Sequence, residues 1–147
     1  MAVKRIPEGY HTVTPYLTAR GVDRLIDFLK QAFGAEERER FLRPDGAILH
    51  AEVKIGDSIV MLGEASEQWP ARPTSLYIYV EDADNVYRRA LQYGATSVME
   101  PADQFYGDRN AGITDPAGNA WWIATHIEDV SREEMEKRAR AYAQKVA

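Results

Sequence analysis

Two short triplets, Phe33-Gly34-Ala35 and Tyr93-Gly94-Ala95, stand 60 residues apart and mark the same point in a repeated unit. Each triplet follows a run of apolar residues at helical spacing. The first run is Val22, Leu25, Ile26 and Leu29, and the second is Ala83, Val86, Tyr87, Ala90 and Leu91. A glycine directly after a helix supplies the left-handed cap. The triplets therefore predict two amphipathic helices that end in the same way.

The segments around these helices repeat as well. The stretches 14–19 and 75–80 alternate in side-chain type, as strands do, and place Tyr16 and Tyr77 61 residues apart. Gly56-Asp57 and Gly118-Asn119, 62 residues apart, each lead into an apolar run. Three landmarks at offsets of 60, 61 and 62 predict a repeated unit of one strand, one helix and three further strands joined by tight turns.

This repeat divides the chain into four parts. Module one is expected over about 12–64, a linker over 65–73, module two over about 74–128, and a tail helix over about 131–146. Ser131 with Glu134 three residues later forms the capping box that starts the tail helix. Its apolar stripe is expected to be buried on its own domain or on a partner chain, and consists of Met135, Ala139, Tyr142 and Val146.

Composition excludes several classes of protein. The chain has 147 residues, 45% of them hydrophobic, a net charge of −5 and no cysteine. Disulfides, thiolate metal sites and cysteine nucleophiles are therefore absent, and an acidic chain without basic clusters does not favour nucleic acid as a partner. Residues 1–9 lack the apolar run of a signal peptide, and no stretch approaches the roughly 20 apolar residues of a membrane span. We expect a cytoplasmic protein without a membrane or nucleic-acid partner.

Two segments carry a resemblance to a known family. They are Tyr106-Gly107-Asp108-Arg109 followed by Asp115-Pro116-Ala117-Gly118-Asn119 and Trp122, and His50-Ala51-Glu52 followed by Ile55-Gly56-Asp57-Ser58 and Met61-Leu62. Together they resemble the vicinal-oxygen-chelate superfamily of glyoxalases, bleomycin-resistance proteins and extradiol dioxygenases, and its PhnB-like branch in particular. The resemblance covers Thr12 to about Asp129. It implies an α+β fold in which two tandem βαβββ modules form a cup-shaped curved mixed sheet, usually in a homodimer.

The metal enzymes of this superfamily place one ligand on each of four strands. Aligned through the helix motif, the Asp-Pro-x-Gly turn and the repeat offset, those positions are Thr14, Met61, Ser75 and Trp122. Zinc and similar ions bind imidazole, carboxylate or thiolate groups, and none of these is present at the four positions. We therefore predict a chain without a metal or other cofactor.

His50 and Glu52 are the remaining candidates for chemistry. Two residues apart on a strand, they lie on one face. They could be a hydrogen-bonded pair that orients a ligand, a plain ion pair, or part of a different metal site with His126 or His11. If the protein is an enzyme, His50 is the candidate general base and Glu52 the carboxylate that orients it.

The predicted ligand-binding side chains follow from the alternation of the strands. Leu76, Ile78 and Val80 should pack under the helices, which turns the opposite set toward the cup. Residues 102–110 are expected to form a long loop that carries Arg109. With Arg109, the ligand-binding set is Thr14, Tyr16, His50, Glu52, Met61, Ser75, Tyr77, Tyr79, Arg109 and Trp122. The aromatic residues could instead simply fill the cup as core. Asp108 and Arg109 could contact a ligand or form a salt bridge that holds their loop.

Three functions remain open at the level of sequence. The first is a metal-free protein that sequesters a small aromatic or amphipathic molecule in an aromatic-lined cup. The second is a glyoxalase-like lyase or isomerase, or a dioxygenase, that uses His50 and Glu52 or a non-standard metal site. The third is an interaction module that docks through its tail helix. The first is the predicted function, and its partners are a small ligand and a second copy of the chain.

Overall fold

The computed structural model describes residues 2–147. Module one contains β1 (Tyr16–Ala19), α1 (Val22–Phe33), β2 (Glu36–Leu42), β3 (Ile48–Ile55) and β4 (Ser58–Glu64). Module two contains β5 (Ser75–Tyr79), α2 (Ala83–Gln92), β6 (Thr96–Asp103), β7 (Asp108–Thr114) and β8 (Ala120–His126), and α3 (Arg132–Val146) follows. The predicted α+β fold with two βαβββ modules and a C-terminal helix is confirmed.

Each module forms its own four-stranded mixed sheet. The first sheet has the order β1-β4-β3-β2 and the second has the equivalent order β5-β8-β7-β6. In both, the first strand runs parallel to the last, with Tyr16 opposite Met61 and Tyr77 opposite Trp122. The identical register confirms the repeat at an offset of 61. Among residues 2–147, no strand of one sheet pairs with a strand of the other.

The core lies on the helix side of both sheets. Leu17 on β1, Leu25 on α1 and Leu62 on β4 are all fully buried in one continuous cluster, which also includes Trp121 and Ile123 of β8. The two modules meet through α1 and α2, and the Phe33 ring packs on the Trp121 indole with centroids 4.9 Å apart. Because strand side chains alternate, the other face of each sheet points away from this core. We call it the open face.

Both helices end as the sequence predicts and begin with a cap from the last strand of their module. Gly34, after α1, adopts φ 68° and Gly94, after α2, adopts φ 110°. The carboxylate of Glu64 accepts hydrogen bonds from the backbone N–H groups of Gly21 and Val22 at the start of α1. At the equivalent place, the Thr125 hydroxyl accepts from the backbone N–H of Ala83.

The buried carboxylate of Asp115 organises the turn between β7 and β8. Its Oδ1 accepts from the backbone N–H groups of Ala117 at 2.8 Å and Asn119 at 3.0 Å. Its Oδ2 accepts from Asn119 Nδ2 at 3.0 Å and from Trp121 Nε1 at 2.8 Å. Asn119 Oδ1 in turn accepts from the backbone N–H of Thr74, which precedes β5. One side chain therefore ties together the turn, the main core tryptophan and the entry into module two.

The tail helix α3 packs on its own chain along part of its length. Arg138 donates to the Phe105 carbonyl oxygen at 3.2 Å and to Glu128 at 2.8 Å, and the rings of Phe105 and Tyr142 lie 5.1 Å apart. Tyr142 and Val146 nevertheless remain about half exposed or more. The predicted stripe is therefore partly covered at Met135 and Ala139 and mostly exposed beyond them. No helix within residues 2–147 is long and apolar enough to cross a membrane.

Three details differ from the sequence-based expectation. Thr14 precedes β1, because that strand starts at Tyr16. The expected long loop over 102–110 is a turn of four residues, since β6 runs to Asp103 and β7 begins at Asp108. Leu76, Ile78 and Val80 do pack against the core, but only partly. They also line a groove of about 910 Å³ between β5 and the turn that joins β3 to β4.

Replacing Asp115 by Asn should destabilise the protein by about 2–4 kcal/mol, because an amide can accept at only one of its two heavy atoms. Two of the four donors then lose their acceptor whichever way the amide is turned. Urea unfolding monitored by circular dichroism measures this loss. The matched control is Asp57→Asn in the equivalent turn of module one, which is exposed and should cost less than about 0.5 kcal/mol. Equal costs for the two variants would contradict the role given to Asp115.

Candidate functional site

The open face of each sheet carries a buried carboxylate surrounded by tyrosine and histidine. On the first sheet it is Glu52, and on the second it is Asp108, which are 5% and 3% exposed. We call these groups the Glu52 cluster, with Tyr10, His50 and Tyr16, and the Asp108 cluster, with Tyr77, Tyr79, Asn110 and His126. The tyrosines that the alternation placed on this face are there, and Tyr16, Tyr77 and Tyr79 are between 41% and 65% exposed.

In the Glu52 cluster, the predicted pair His50 and Glu52 is hydrogen-bonded, with 2.9 Å between His50 Nε2 and Glu52 Oε2. The Tyr10 hydroxyl donates to the other carboxylate oxygen. Burial raises the pKa of Glu52, but the hydrogen bonds from Tyr10 and His50 outweigh it and hold the pKa below its usual value. Glu52 is therefore an ionised acceptor, and the hydrogen bond to it raises the pKa of Tyr10.

The ionised carboxylate of Glu52 determines which ring nitrogen of His50 carries a proton. The ring nitrogen that faces it must carry the proton, since a carboxylate cannot donate. In neutral His50 the other nitrogen, Nδ1, is then a bare acceptor, and the Tyr16 hydroxyl lies 3.4 Å from it. A chain of groups thus leads from the buried carboxylate through the imidazole to a phenol on the open face. Such a chain can accept a proton at its outer end.

The Asp108 cluster holds its histidine differently. Asp108 accepts from Tyr77 at 2.6 Å, from Tyr79 at 2.9 Å and from His126 Nδ1 at 2.8 Å. His126 Nε2 contacts Asp129 at 2.8 Å, so both ring nitrogens face carboxylates and act as donors. These contacts with Asp108 and Asp129 raise the pKa of His126. With both ring nitrogens engaged by carboxylates, His126 has no free nitrogen for use as a base.

Burial of the Asp108 cluster also shapes its other pKa values. Burial raises the pKa of Tyr77, and the Asp108 carboxylate raises it further. For Asp108 itself, burial works against ionisation, but the hydrogen bonds from Tyr77, His126 and Tyr79 dominate and its pKa is lowered. Tyr77 stays protonated, so this cluster offers a ligand hydrogen-bonding groups rather than a base.

A cavity of about 600 Å³ lies on the open face of the first sheet. Tyr16 and Thr18 of β1 and Gly63 of β4 form its floor, and Trp69 from the linker forms one wall. A Cβ atom at position 63 would lie 2.8 Å from the Tyr16 hydroxyl oxygen, so glycine is required for the tyrosine to lie there. The remaining lining residues are Arg43, Leu49, Glu64, Ser66 and Gln68. We call this the Tyr16–Trp69 cavity.

Of the other predicted ligand-binding residues, Met61 and Trp122 belong to the two open faces, whereas Arg109 lies on the helix side of its sheet. Met61 lies opposite Tyr16 and Glu52 in the first sheet. Trp122 lies over Gly112 in the second sheet, and Ser75 is exposed on β5. Arg109 forms a two-pronged contact with Asp84 at 2.7 and 2.9 Å and a third contact with Asp103 at 3.0 Å. Two roles were predicted for Arg109, contact with a ligand or a salt bridge, and in the structure it forms the salt bridge.

Sequence reasoning missed three residues of these sites. Tyr10 reaches Glu52 from a segment without regular structure, and no periodicity marks it. Trp69 was read only as part of the linker, although an exposed tryptophan beside two sheet strands is a recognisable sign of a binding surface. Asn110 was grouped with a loop, but it is a buried β7 residue that donates to Tyr77 at 3.1 Å and Tyr106 at 2.8 Å.

Comparison with known proteins agrees with this architecture. The family model for the glyoxalase/bleomycin resistance protein/dioxygenase superfamily matches residues 10–123. The chain belongs to this superfamily. An uncharacterised protein of Mycobacterium bovis is 31% identical over 135 residues, which cover 84% of this chain and 89% of the relative.

Solved structures from the superfamily share the fold. TioX from Micromonospora sp. ML1 is 25% identical with a TM-score of 0.69, over 80% of this chain and 99% of TioX. A Bacillus cereus PhnB protein, described as a putative 3-demethylubiquinone-9 3-methyltransferase, is 17% identical with a TM-score of 0.64, over 78% and 99% of the two chains. At this level of identity the likeness is one of fold, and the PhnB-like branch stays a prediction.

The residues at the superfamily's metal positions do not fit a metal ion. Met61 on β4 and Trp122 on β8 stand at equivalent places in the two sheets and carry a thioether and an indole. Thr14 and Ser75 offer only neutral hydroxyls. Hard and borderline divalent ions need imidazole or carboxylate ligands. Within residues 2–147, no three His, Asp or Glu side chains are grouped so that they could hold a metal ion.

Replacing His126 by Gln should cost most stability at low pH. The folded pKa of His126 lies above its ordinary value of 6.5, so its contribution is complete below about pH 6.5 and is lost as the pH rises through the folded pKa. The difference in unfolding free energy between the native chain and the variant should therefore shrink between pH 6 and pH 9, as measured by urea unfolding. His11→Gln, an exposed position outside both clusters, is the control. A difference that grows with pH would contradict the assignment.

Proposed function

We propose that this protein is a metal-free binding protein that sequesters a small aromatic or amphipathic molecule on its open faces. The observation that carries the proposal is the position of the aromatic side chains. Tyr16, Tyr77 and Tyr79 lie on the face opposite the core, and Leu17, which alternates with Tyr16, is fully buried. Because the core is complete without these aromatic rings, they are free to contact a ligand.

The Tyr16–Trp69 cavity is the site that we assign to this ligand. Its volume of about 600 Å³ falls in the range of about 300–1,000 Å³ typical of sites for small molecules. The cavity combines exposed aromatic rings with a few polar groups, and aromatic faces favour planar ligands by stacking. The phenol of Tyr16 adds a hydrogen-bonding group at the floor.

A second copy of the chain is proposed to complete the site. Each open face stands alone within one chain, since the two sheets do not pair. Phe41, Leu42 and Leu49 are all more than half exposed near the cavity, as is common at surfaces that associate. Sedimentation equilibrium should therefore give twice the mass of one chain at micromolar concentration. A monomer under these conditions would contradict the dimer and leave the cavity as the whole site.

Trp69→Ala should weaken the binding of a neutral aromatic probe by about tenfold, because the lost ring face contributes stacking and buried apolar area. The probe is N-phenyl-1-naphthylamine, whose fluorescence rises on binding. Trp69 is 67% exposed, so the variant should keep its fold. The matched control is Tyr93→Ala. Tyr93 is also an exposed aromatic residue, lies just after α2 and does not line the cavity. Unchanged affinity in Trp69→Ala, or no binding by the native chain, would overturn the proposed function.

A second candidate function follows from the chain of groups in the Glu52 cluster. His50, oriented by Glu52, can act as a general base through Tyr16 in a glyoxalase-like lyase or isomerase reaction. The candidate differs from the first in requiring turnover, and the contact of 3.4 Å between Tyr16 and His50 is the observation that favours it.

This candidate predicts turnover of the hemithioacetal of methylglyoxal and glutathione in the presence of a chelator. His50→Ala and Tyr16→Phe should each lower the rate by about 100-fold or more, the usual contribution of a positioned acid or base. His11→Gln is the control histidine variant. An unchanged rate in His50→Ala would eliminate His50 as the base.

A further inference from the structure

Arg43 is a cation held in the wall of the Tyr16–Trp69 cavity. It starts the turn between β2 and β3, where its backbone N–H donates to Ala47 at 2.8 Å and its carbonyl oxygen accepts from Gly46 at 2.9 Å. The side chain is only 25% exposed. Its Nε is buried and has no hydrogen-bond partner among residues 2–147. Asp45 Oδ1 forms an ion pair with this Nε at 3.6 Å, a distance that is too long for a hydrogen bond.

Glu64 is the other charged side chain of the cavity lining, and its carboxylate already accepts hydrogen bonds. Glu64 accepts from Gly21 N at 3.0 and 3.1 Å and from Val22 N at 2.9 Å. The positive end of the α1 dipole at this place offsets the negative charge of Glu64. The exposed carboxylate of Asp45 is likewise engaged, because its Oδ1 accepts from Ala47 N at 3.0 Å. A cationic ligand would therefore meet Arg43 beside carboxylates that are already engaged, whereas an anionic group would meet the guanidinium.

The remaining lining residues select for shape. Trp69 and Tyr16 offer ring faces and Leu49 an apolar side chain, all of them exposed at the cavity. The absence of a side chain at Gly63 makes room for the Tyr16 hydroxyl at the floor. A flat ring system of one or two rings fits between such walls. Its charged substituent would lie toward the β2–β3 turn, where Arg43 is fixed.

We infer that the Tyr16–Trp69 cavity binds planar aromatic anions, with the ring against Trp69 and Tyr16 and a carboxylate or similar oxyanion on the Arg43 guanidinium. The inference rests on the proposed function, because it names the ligand class for the same site. Guanidinium groups bind carboxylates through paired, charge-assisted hydrogen bonds, which are stronger than those between neutral groups.

The test compares three naphthalenes of nearly equal size that differ in charge. They are 2-naphthoate, 2-naphthamide and 2-naphthylmethylammonium, each used to displace N-phenyl-1-naphthylamine from the native chain. Naphthoate should bind at least tenfold more tightly than either of the others. Arg43→Gln should lower its affinity at least tenfold and leave that of the amide and of the neutral probe unchanged. Arg43→Lys, which keeps the charge, should retain part of the preference for the anion.

Arg88→Gln is the matched control, since it removes the same charge from an exposed position on α2 and should leave all three affinities unchanged. Equal binding of the amide, tighter binding of the ammonium compound, or an unchanged preference in Arg43→Gln would overturn the inference while the proposed function stands. If the probe binds and none of the three compounds displaces it, the inference fails in the same way. If the probe itself does not bind, the proposed function fails with it.

Discussion

The buried carboxylate of Asp115 is the interaction on which the rest of the structure depends. It holds the turn into β8, orients Asn119 toward the start of β5 and accepts the indole N–H of Trp121. Trp121 then packs on Phe33 at the end of α1 and so connects module two to module one. A carboxylate in the interior is stable only when its acceptor sites are filled, and here four donors fill them.

The second constraint is the alternation of side chains along the strands. Since one face of each sheet supplies the core, the other face is released for polar and aromatic groups. In each module that face carries a buried carboxylate with tyrosine and histidine side chains around it. The two clusters then differ in one respect that matters chemically. His50 faces a carboxylate on one side and a phenol on the other, whereas His126 faces carboxylates on both sides.

Much of the fold could be predicted from the sequence because it depends on local patterns. The triplets at Gly34 and Gly94 located both helix ends, and the offset of 61 located equivalent positions in both sheets. That His50 and Glu52 share one face of their strand also followed from alternation alone. These features arise from backbone geometry and side-chain periodicity, which are properties of short segments.

The parts that could not be predicted depend on contacts between distant segments. Tyr10 and Glu52 are 42 residues apart and no repeat relates them. Arg109 was predicted to bind a ligand, but it pairs with Asp84, which lies 25 residues earlier on α2 and shares no local pattern with it. Tyr77 and Tyr79 were predicted for the open face, but their shared contact with Asp108 was not, because it joins β5 to β7.

The contact of Tyr10 with Glu52 has a practical consequence for handling the protein. It brings the segment before β1 onto the same open face that carries His50 and Tyr16. Loss of this segment by proteolysis during purification would therefore remove one of the hydrogen-bond donors of Glu52 while leaving the strands and helices of both modules in place.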